Sequence, residues 1–476
     1  MDWENQPSIY KAYPGVEPMG LPTDILLPEI NLSTLLHHSP EKRDPADLTL
    51  EDLSKIFLLT YSLTAKARQS GGDFYYRSVA SAGALFPSEI YVALQGLKGA
   101  EPGLYHFSIA HHALSMIRSG EVPSPFPSGS SADSSPTFTF FLTAIFFRSA
   151  WKYRNRAYRY HLLDTGHLLE NLALALAALG IPFSHSLDFH DRSVNRFLGL
   201  DESREEALAV VHIPENGGWI EDRLQDIPEI TDSFKGAGRV SQNEIQYEEI
   251  LDIHHSGHEW SAPSLPRDHM VHALGVKPMK WTPLERESLW AESKNYTESV
   301  FHRRSKRNFI PSPVPEERLK ALMTALAVDG PGRDEDVEKT LGIGVLIGRV
   351  QGFSPGFYLL DTGGPAFGPV SPGAYLEKMS RTCLDQMWLS NAALHVLFMA
   401  NLEVLDCAWG ARGYRHAMMT AGRLGQRLYL AATAMDLGCC GIGALYDREA
   451  ADLLGLNESS RLLYLVGVGP IKQGVF

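Results

Sequence analysis

The chain has 476 residues, of which 44 % are hydrophobic and 21 % charged, the balance of a globular protein with apolar material for two or three cores. Acidic residues outnumber basic ones 56 to 43, a formal charge of −13 with no long Lys/Arg block, which argues against nucleic acid as a partner. No basic-plus-apolar leader opens the chain, and its longest smooth apolar stretch, Leu172 to Phe183, is broken by Gly180 and Pro182 and too short to span a bilayer.

In chain order, a polar tail over residues 1–29 precedes the helical run that carries Glu51-Asp52-Leu53. Ser81-Ala82-Gly83-Ala84-Leu85-Phe86-Pro87 then leads into a strand from Glu89 to Leu94, and Pro102-Gly103-Leu104-Tyr105 opens another strand-like run. Pro123 to Pro136 is low in complexity and reads as a surface loop. Trp151-Lys152-Tyr153 is followed from Tyr158 by a long, nearly all-round apolar helix that must be buried. Phe234 to about Glu285 is rich in Gly, Ser, His and Pro and reads as a connector. Then come the basic run Arg303-Arg304-Ser305-Lys306-Arg307, Glu317-Arg318-Leu319, Pro355-Gly356-Phe357-Tyr358, a second long apolar helix from Tyr414, and the turn Leu437-Gly438-Cys439-Cys440-Gly441-Ile442-Gly443.

These elements repeat. Gly166 pairs with Gly422 at the centres of the two long helices, and at the same offset Leu198-Gly199-Leu200 pairs with Leu454-Gly455-Leu456. The Pro-Gly-x-Tyr and Glu-x-Leu segments pair in the same order, which marks a duplication of about 200 residues. The boundaries that follow are a tail at 1–29, a first domain at 30–233, a connector at 234–290 and a second domain at 291–476.

The basic run before a proline-rich lead into a helix, the Ser-Ala-Gly motif before a strand, and the glycine turn after the long helix together resemble the nitroreductase-like flavoprotein family. Trp151-Lys152-Tyr153 narrows the resemblance to its branch of SagB-type azoline dehydrogenases. The resemblance implies an α+β fold in which a mainly antiparallel sheet packs between helices. Family members form intimate dimers whose flavin sites draw on both subunits, so a fused tandem would make an intramolecular pseudo-dimer. It also implies FMN as cofactor. Arg303 and Ser305 would hold its phosphate and ribityl chain, guanidinium forks being suited to a dianion, and Arg304 between them would also be cofactor-binding. Arg307 would lie near the pyrimidine, where a cation stabilises the reduced flavin; Gly441, Ile442 and Gly443 would pass over the ring, and Lys472 would join the phosphate clamp or be a solvated tail lysine.

The two halves keep different parts. His37 stands at the position of Arg303, Glu41 at that of Arg307, and His185 and Leu187 at those of Gly441 and Gly443, so the first half has lost its phosphate and ring contacts. Val328 to Arg333 does not match the Ser-Ala-Gly motif, which the first half retains as Ser81, Ala82, Gly83 and Ala84. The retained parts are complementary and imply one composite site and one FMN per chain. Ala84 and Phe86 depart from ordinary nitroreductases, which favours the dehydrogenase branch.

In that branch a Lys-Tyr pair acts as base and proton relay, a role Lys152 and Tyr153 would take; the alternative is a strand-end lysine beside a core tyrosine. Cys439-Cys440 reads as turn packing rather than a redox dithiol, because adjacent cysteines form a strained disulfide. His254-His255-Ser256-Gly257-His258-Glu259 lies in the connector and is read as holding no metal. His161 and His167 are read as satisfied helix histidines. The expected function is an FMN-dependent oxidoreductase moving hydride at flavin N5, oxidising a heterocycle or peptide-derived substrate. The rivals are a generic NAD(P)H-dependent nitro or quinone reductase and a non-catalytic flavin scaffold. No Gly-x-Gly-x-x-Gly follows a strand, so a nicotinamide would visit the flavin rather than own a domain. Four cysteines without a framework suit a reducing cytoplasm, and neither nucleic acid nor membrane is an expected partner.

Overall fold

A computed structural model of the chain describes residues 2–38, 40–69, 72–120, 137–213, 230, 234, 236–258, 268–284, 290–327, 330–331 and 337–472. The expected loop at 123–136 and most of the interval 328–333 lie outside the described residues. Two compact units divide the chain: Met1–Pro28 with Ser39–Glu259, and Glu29–His38 with Trp260–Phe476.

In the first unit the strands are β1 (Met19–Gly20), the hairpin β2 (Leu63–Gln69) and β3 (Gly72–Arg77), β4 (Ser88–Gln95), β5 (Gly103–Ser108), β6 (Ala113–Ser119), β7 (Thr137–Ile145), β8 (Ser184–Ser186) and β9 (Glu205–Ile213). All but the hairpin form one antiparallel sheet in the order β1-β6-β5-β4-β7-β9-β8. The central strands β4, β7 and β9 are buried along almost their whole length, which is why they read as continuous apolar runs rather than alternating ones. The long helix Ala157–Ala178 packs on this sheet and on the helix Leu50–Thr60, and every residue from Tyr160 to Ala177 is buried. Thr49 and Asp52 close a capping box at the start of Leu50–Thr60, an arrangement that typically contributes about 1 kcal/mol.

The second unit repeats the plan. Its strands are β10 (Thr282–Pro283), β11 (Gly342–Ile347), β12 (Gly356–Asp361), β13 (Ala366–Pro372), β14 (Leu394–Asn401), β15 (Gly438–Ile442) and β16 (Ser460–Gly469). They run in the order β10-β13-β12-β11-β14-β16-β15, the first unit's order element for element. The paired sequence segments do the same work in each copy. Gly103 and Gly356 open β5 and β12, and a Cβ on either would strike the carbonyl of Arg118 or of Ser371. Two residues on, the Tyr105 hydroxyl donates to the Glu101 carbonyl at 2.6 Å and that of Tyr358 to Ser354 at 2.8 Å. Gly199 and Gly455 end the helices Asp191–Leu198 and Asp447–Leu454 in the left-handed region, both at φ 69°. The architecture is α+β, two sheets each packed with helices.

Two segments sit differently from the boundaries read in sequence. Residues 29–38 belong with the second unit because Glu292 caps the short helix Leu32–His37: its carboxylate accepts from the amides of Leu32 at 2.8 Å and Ser33 at 2.6 Å, where the N-cap residue Asn31 supplies no side-chain bond. The connector carries structure of its own, the helices Glu248–His255 and Met270–Ala273 and the strand β10, and its residues up to 259 belong with the first unit. Among the described residues no helix is long and apolar enough to cross a membrane.

Candidate active-site residues

In the second unit the basic run follows the helix Tyr296–His302 and is laid along β15. Ser305 bridges Cys439, Lys306 N donates to the Cys439 carbonyl at 2.9 Å, and Phe309 bridges Ile471. Arg303 is only 3 % exposed, with its guanidinium 5.4 Å from the centre of the Tyr429 ring. Burial weakens its hold on its proton, but from so high a starting value that it stays charged. Arg304 turns back to the carbonyls of Phe301 and Arg303, at 3.0 and 2.6 Å, and so caps the helix it follows. Arg307 lies over the Trp388 ring at 5.6 Å. Lys472 is exposed and held beside this run: its amide donates to Asn308 O at 3.1 Å and its carbonyl accepts from Asn308 Nδ2 at 2.9 Å.

Tyr429, on the long helix Arg412–Ala434, joins the basic run to the glycine turn. Its hydroxyl lies 2.9 Å from Ser305 Oγ and accepts from the amide of Gly441 at 2.6 Å. Burial pushes its phenol well above the ordinary range, so it stays protonated. At Gly441 a Cβ would collide with the Tyr464 hydroxyl. Cys439 and Cys440 are free and buried, and burial raises both thiols. The run, the turn and Lys472 are thus brought together within this unit.

In the first unit, the Ser-Ala-Gly motif forms a tight loop with left-handed backbone at Gly83 (φ 66°), Ala84 (φ 55°) and Phe86 (φ 47°). Left-handed alanine and phenylalanine are costly, and the loop is held by what surrounds it. Asp164, on the long helix, accepts from Ser81 Oγ at 2.6 Å and from the Ala82 amide at 3.2 Å. Ser81 Oγ in turn accepts from the Phe86 amide at 2.9 Å. Arg148 donates to Phe86 O at 3.0 Å and to Glu89 at 2.5 Å, and the Arg77 guanidinium lies 4.3 Å from the Phe86 ring centre. Burial pushes the Asp164 carboxyl up to about 7, against the opposing hydrogen bonds from Ser81 and Ala82.

Lys152 and Tyr153 converge on this loop. They end the helix Phe146–Tyr153, not a strand, and a Cβ on Gly83 would lie 2.7 Å from the Tyr153 hydroxyl and 3.1 Å from Lys152 Nζ. The residue after them, Arg154, is held at φ 51°. Tyr153 packs its ring 4.6 Å from that of Tyr160.

Among the positions that differ between the halves, His37 lies in the second unit, 2.7 Å from Ser33 O and against the Trp290 ring. Glu41 runs past Gly180, and His185 sits on the edge strand β8 paired with Val211. His161 and His167 are buried on the long helix, His161 Nε2 at 3.0 Å from Phe146 O.

The description "Nitroreductase family" matches residues 42–218 and 367–470, in both units and over more than half of the chain. The chain belongs to the nitroreductase family. The crystal structure of a nitroreductase-type protein from Anabaena variabilis superimposes with a TM-score of 0.76, covering 99 % of this chain and 95 % of that one at 25 % identity. The trifolitoxin-processing protein TfxB of Rhizobium leguminosarum bv. trifolii is 31 % identical over 202 residues, 40 % of this chain and 54 % of that protein. The microcin B17-processing protein McbC of Escherichia coli is 26 % identical over 191 residues, 38 % of this chain and 70 % of that protein. The chain thus matches about half the length of the first of these relatives. It is an oxidoreductase-family protein related to proteins named for processing trifolitoxin and microcin B17.

Three residues central to these arrangements, Tyr429, Tyr464 and Asp164, escape sequence reasoning. A signal for them existed: at the repeat offset that pairs Gly166 with Gly422, Tyr429 and Tyr464 face the apolar Ala173 and Leu208, and the acid Asp164 faces the uncharged Thr420.

Proposed function

We propose that the chain is an FMN-dependent dehydrogenase that oxidises a heterocyclic, peptide-derived substrate. The observation that carries this reading is the convergence of Lys152 Nζ and the Tyr153 hydroxyl on Gly83 of the strained loop. The relatives named as toxin- and microcin-processing proteins support a peptide-derived substrate.

The donor set of the second unit fits FMN. Arg303, a buried cation beside the Ser305 hydroxyl and its partner Tyr429, suits a phosphate dianion, with Arg304 and Lys472 adding positive charge. Arg307 suits the ring, together with Ile442 and Gly443. Bound there, FMN would supply the two-electron acceptor that the chain's side chains lack. The corresponding positions of the first unit hold no such set, so the stoichiometry is one FMN per chain.

Oxidising an azoline ring removes a hydride from one ring carbon and a proton from the ring, leaving an aromatic azole. Lys152 and Tyr153 handle that proton: the Tyr153 hydroxyl passes its own proton to the Lys152 amine as it takes the one leaving the ring, so the pair ends as phenol and ammonium. Ser81 to Ala84 keep the pair's position by giving it glycine backbone to rest on, and Asp164 fixes the loop. NAD(P)H is not needed in this direction.

The test is to purify the full chain, release its flavin by heat, and follow anaerobic flavin bleaching with a thiazoline peptide and, separately, with NAD(P)H. About one FMN per chain and bleaching by the peptide is the expected result. Two FMN per chain would overturn the assignment of a single binding set. Bleaching by NAD(P)H alone would make the chain a reductase, and bound flavin with no bleaching by either would make it a scaffold.

A further inference from the structure

The first unit gathers a second cluster of polar side chains that the proposed reaction does not use. The helix Glu248–His255 and the turn after it present His254, His255 and His258, and two carboxylates from distant segments meet them. Asp191 comes from the first turn of the helix Asp191–Leu198, and Glu206 from β9. Ligand-capable atoms of Asp191, His254 and His258 lie within 4.8 Å of one another, as do those of Glu206, His255 and His258. Glu206 Oε2 is 3.1 Å from His254 Nε2 and 2.9 Å from His258 Nε2. The His254 and His258 side chains are 0 % and 5 % exposed, and Asp191 and Glu206 are 1 % and 0 % exposed.

Two observations point to a ligand. Nδ1 of His258 is buried without a hydrogen bond, although buried polar atoms are normally satisfied. The other nitrogen of His254, Nδ1, meets the Tyr158 hydroxyl at 3.2 Å. A contact of this kind to the second ring nitrogen fixes the tautomer of a metal-bound imidazole. Asn195 Nδ2 likewise holds Glu206 Oε2 at 2.9 Å.

We infer that this cluster binds one zinc ion, with His254, Nδ1 of His258 and the Asp191 carboxylate as its ligands, the three whose ligand atoms lie within 4.8 Å of one another. Two neutral imidazoles and one carboxylate, with Glu206 against the other nitrogen of His258, match the charge of a divalent ion, which suits a buried site. Nitrogen and oxygen ligands about 2.0–2.2 Å from tetrahedral zinc lie roughly 3.3 Å apart, inside that 4.8 Å limit. The site fastens the helix Glu248–His255 to the helix Asp191–Leu198, and Glu206 ties it to β9. His255, 40 % exposed, stands outside it. In sequence the spacing of the histidine run matches no metal motif, and the Asp191 carboxylate comes from a segment about 65 residues away.

The experiment uses the full chain, stripped with a chelator and titrated with Zn²⁺ against a chromophoric competitor, with metal content read by mass spectrometry. One tight zinc equivalent per chain is expected, with a higher Tm in zinc than in chelator. His254→Ala and Asp191→Asn lose the tight equivalent and the zinc-dependent Tm shift, whereas His255→Ala keeps both. Folded wild type that retains no zinc equivalent overturns the site and leaves a hydrogen-bonded histidine cluster. Loss in His255→Ala with retention in His254→Ala overturns the ligand set. Because the wild type alone decides the first point, a variant that fails to fold does not rescue the proposal.

Discussion

Where β5 and β12 begin, the two units are interchangeable: glycine against a carbonyl, tyrosine tied to the residue four before it. Along their long helices they are not. Tyr429 binds Ser305 and the Gly441 amide in the second unit, and its counterpart Ala173 can do neither. Asp164 ties down a loop in the first unit, and its counterpart is Thr420. The difference teaches that a duplicated fold keeps the contacts that shape strands and helix ends in both copies, while side chains such as Tyr429 and Asp164, which join separate segments, are kept in one. Each unit can then lose what the other retains without losing its fold.

The largest expected effect breaks the first unit's side of this division. Lys152→Ala and Tyr153→Phe should each lower turnover of a thiazoline peptide by a factor of about 10² to 10⁴, the usual worth of a positioned base. Bound FMN should stay the same, read by absorbance of the gel-filtered protein. Turnover equal to wild type in both variants would reduce the pair to packing.

On the second unit's side, Arg303→Ala should weaken FMN binding by roughly 1.5–3 kcal/mol, about ten- to more than a hundredfold in Kd. His37→Ala, at the counterpart position, should leave Kd within about twofold on the same scale. Fluorescence titration of stripped protein measures both, and equal effects would erase the asymmetry.

A smaller effect follows from Asp164. Its carboxyl titrates near 7 when folded, against an ordinary value of 3.8. The folded state therefore holds its proton more tightly, a contribution present below about pH 4 and lost as pH rises through about 7. Asp164→Asn removes this dependence. Urea unfolding from pH 4 to 8 should show wild type losing stability relative to the variant as pH rises, and parallel curves would count against a raised value.

The smallest concerns Arg154. It holds φ 51° and ψ −138° where the second unit places Gly410 at φ 57° and ψ −149°. Arg154→Gly should stabilise the chain by about 1 kcal/mol, seen as a higher Tm. A lower Tm would mean that the arginine side chain outweighs its backbone cost.

Much of this was legible in the sequence. The repeat, the two sheets' worth of strands and the long buried helices follow from hydrophobic pattern and spacing. The basic run, the Ser-Ala-Gly loop and the Lys-Tyr pair stand out as local strings. Other features depend on which side of a helix meets which loop, and local strings do not carry that. Asp164 and Tyr429 look like polar interruptions of apolar helices until their partners are in place. Gly441 stands out in its local string, but the Tyr464 hydroxyl that a Cβ there would meet lies on the neighbouring strand. The helix Leu32–His37 was assigned by its position in the chain, whereas the Glu292 carboxylate, 260 residues from Leu32, decides where it belongs.

That last attachment has a consequence for how the chain can be cut. It passes from the first unit into the second at Glu29, returns at Ser39 and leaves again after Glu259. A single scission in the connector therefore does not release two finished bodies. The N-terminal fragment carries off a helix that the other fragment needs, and the C-terminal fragment is left with Glu292 facing no amides. Two separately made halves would have to be drawn at different places from those the repeat suggests, or be mixed so that one fragment completes the other.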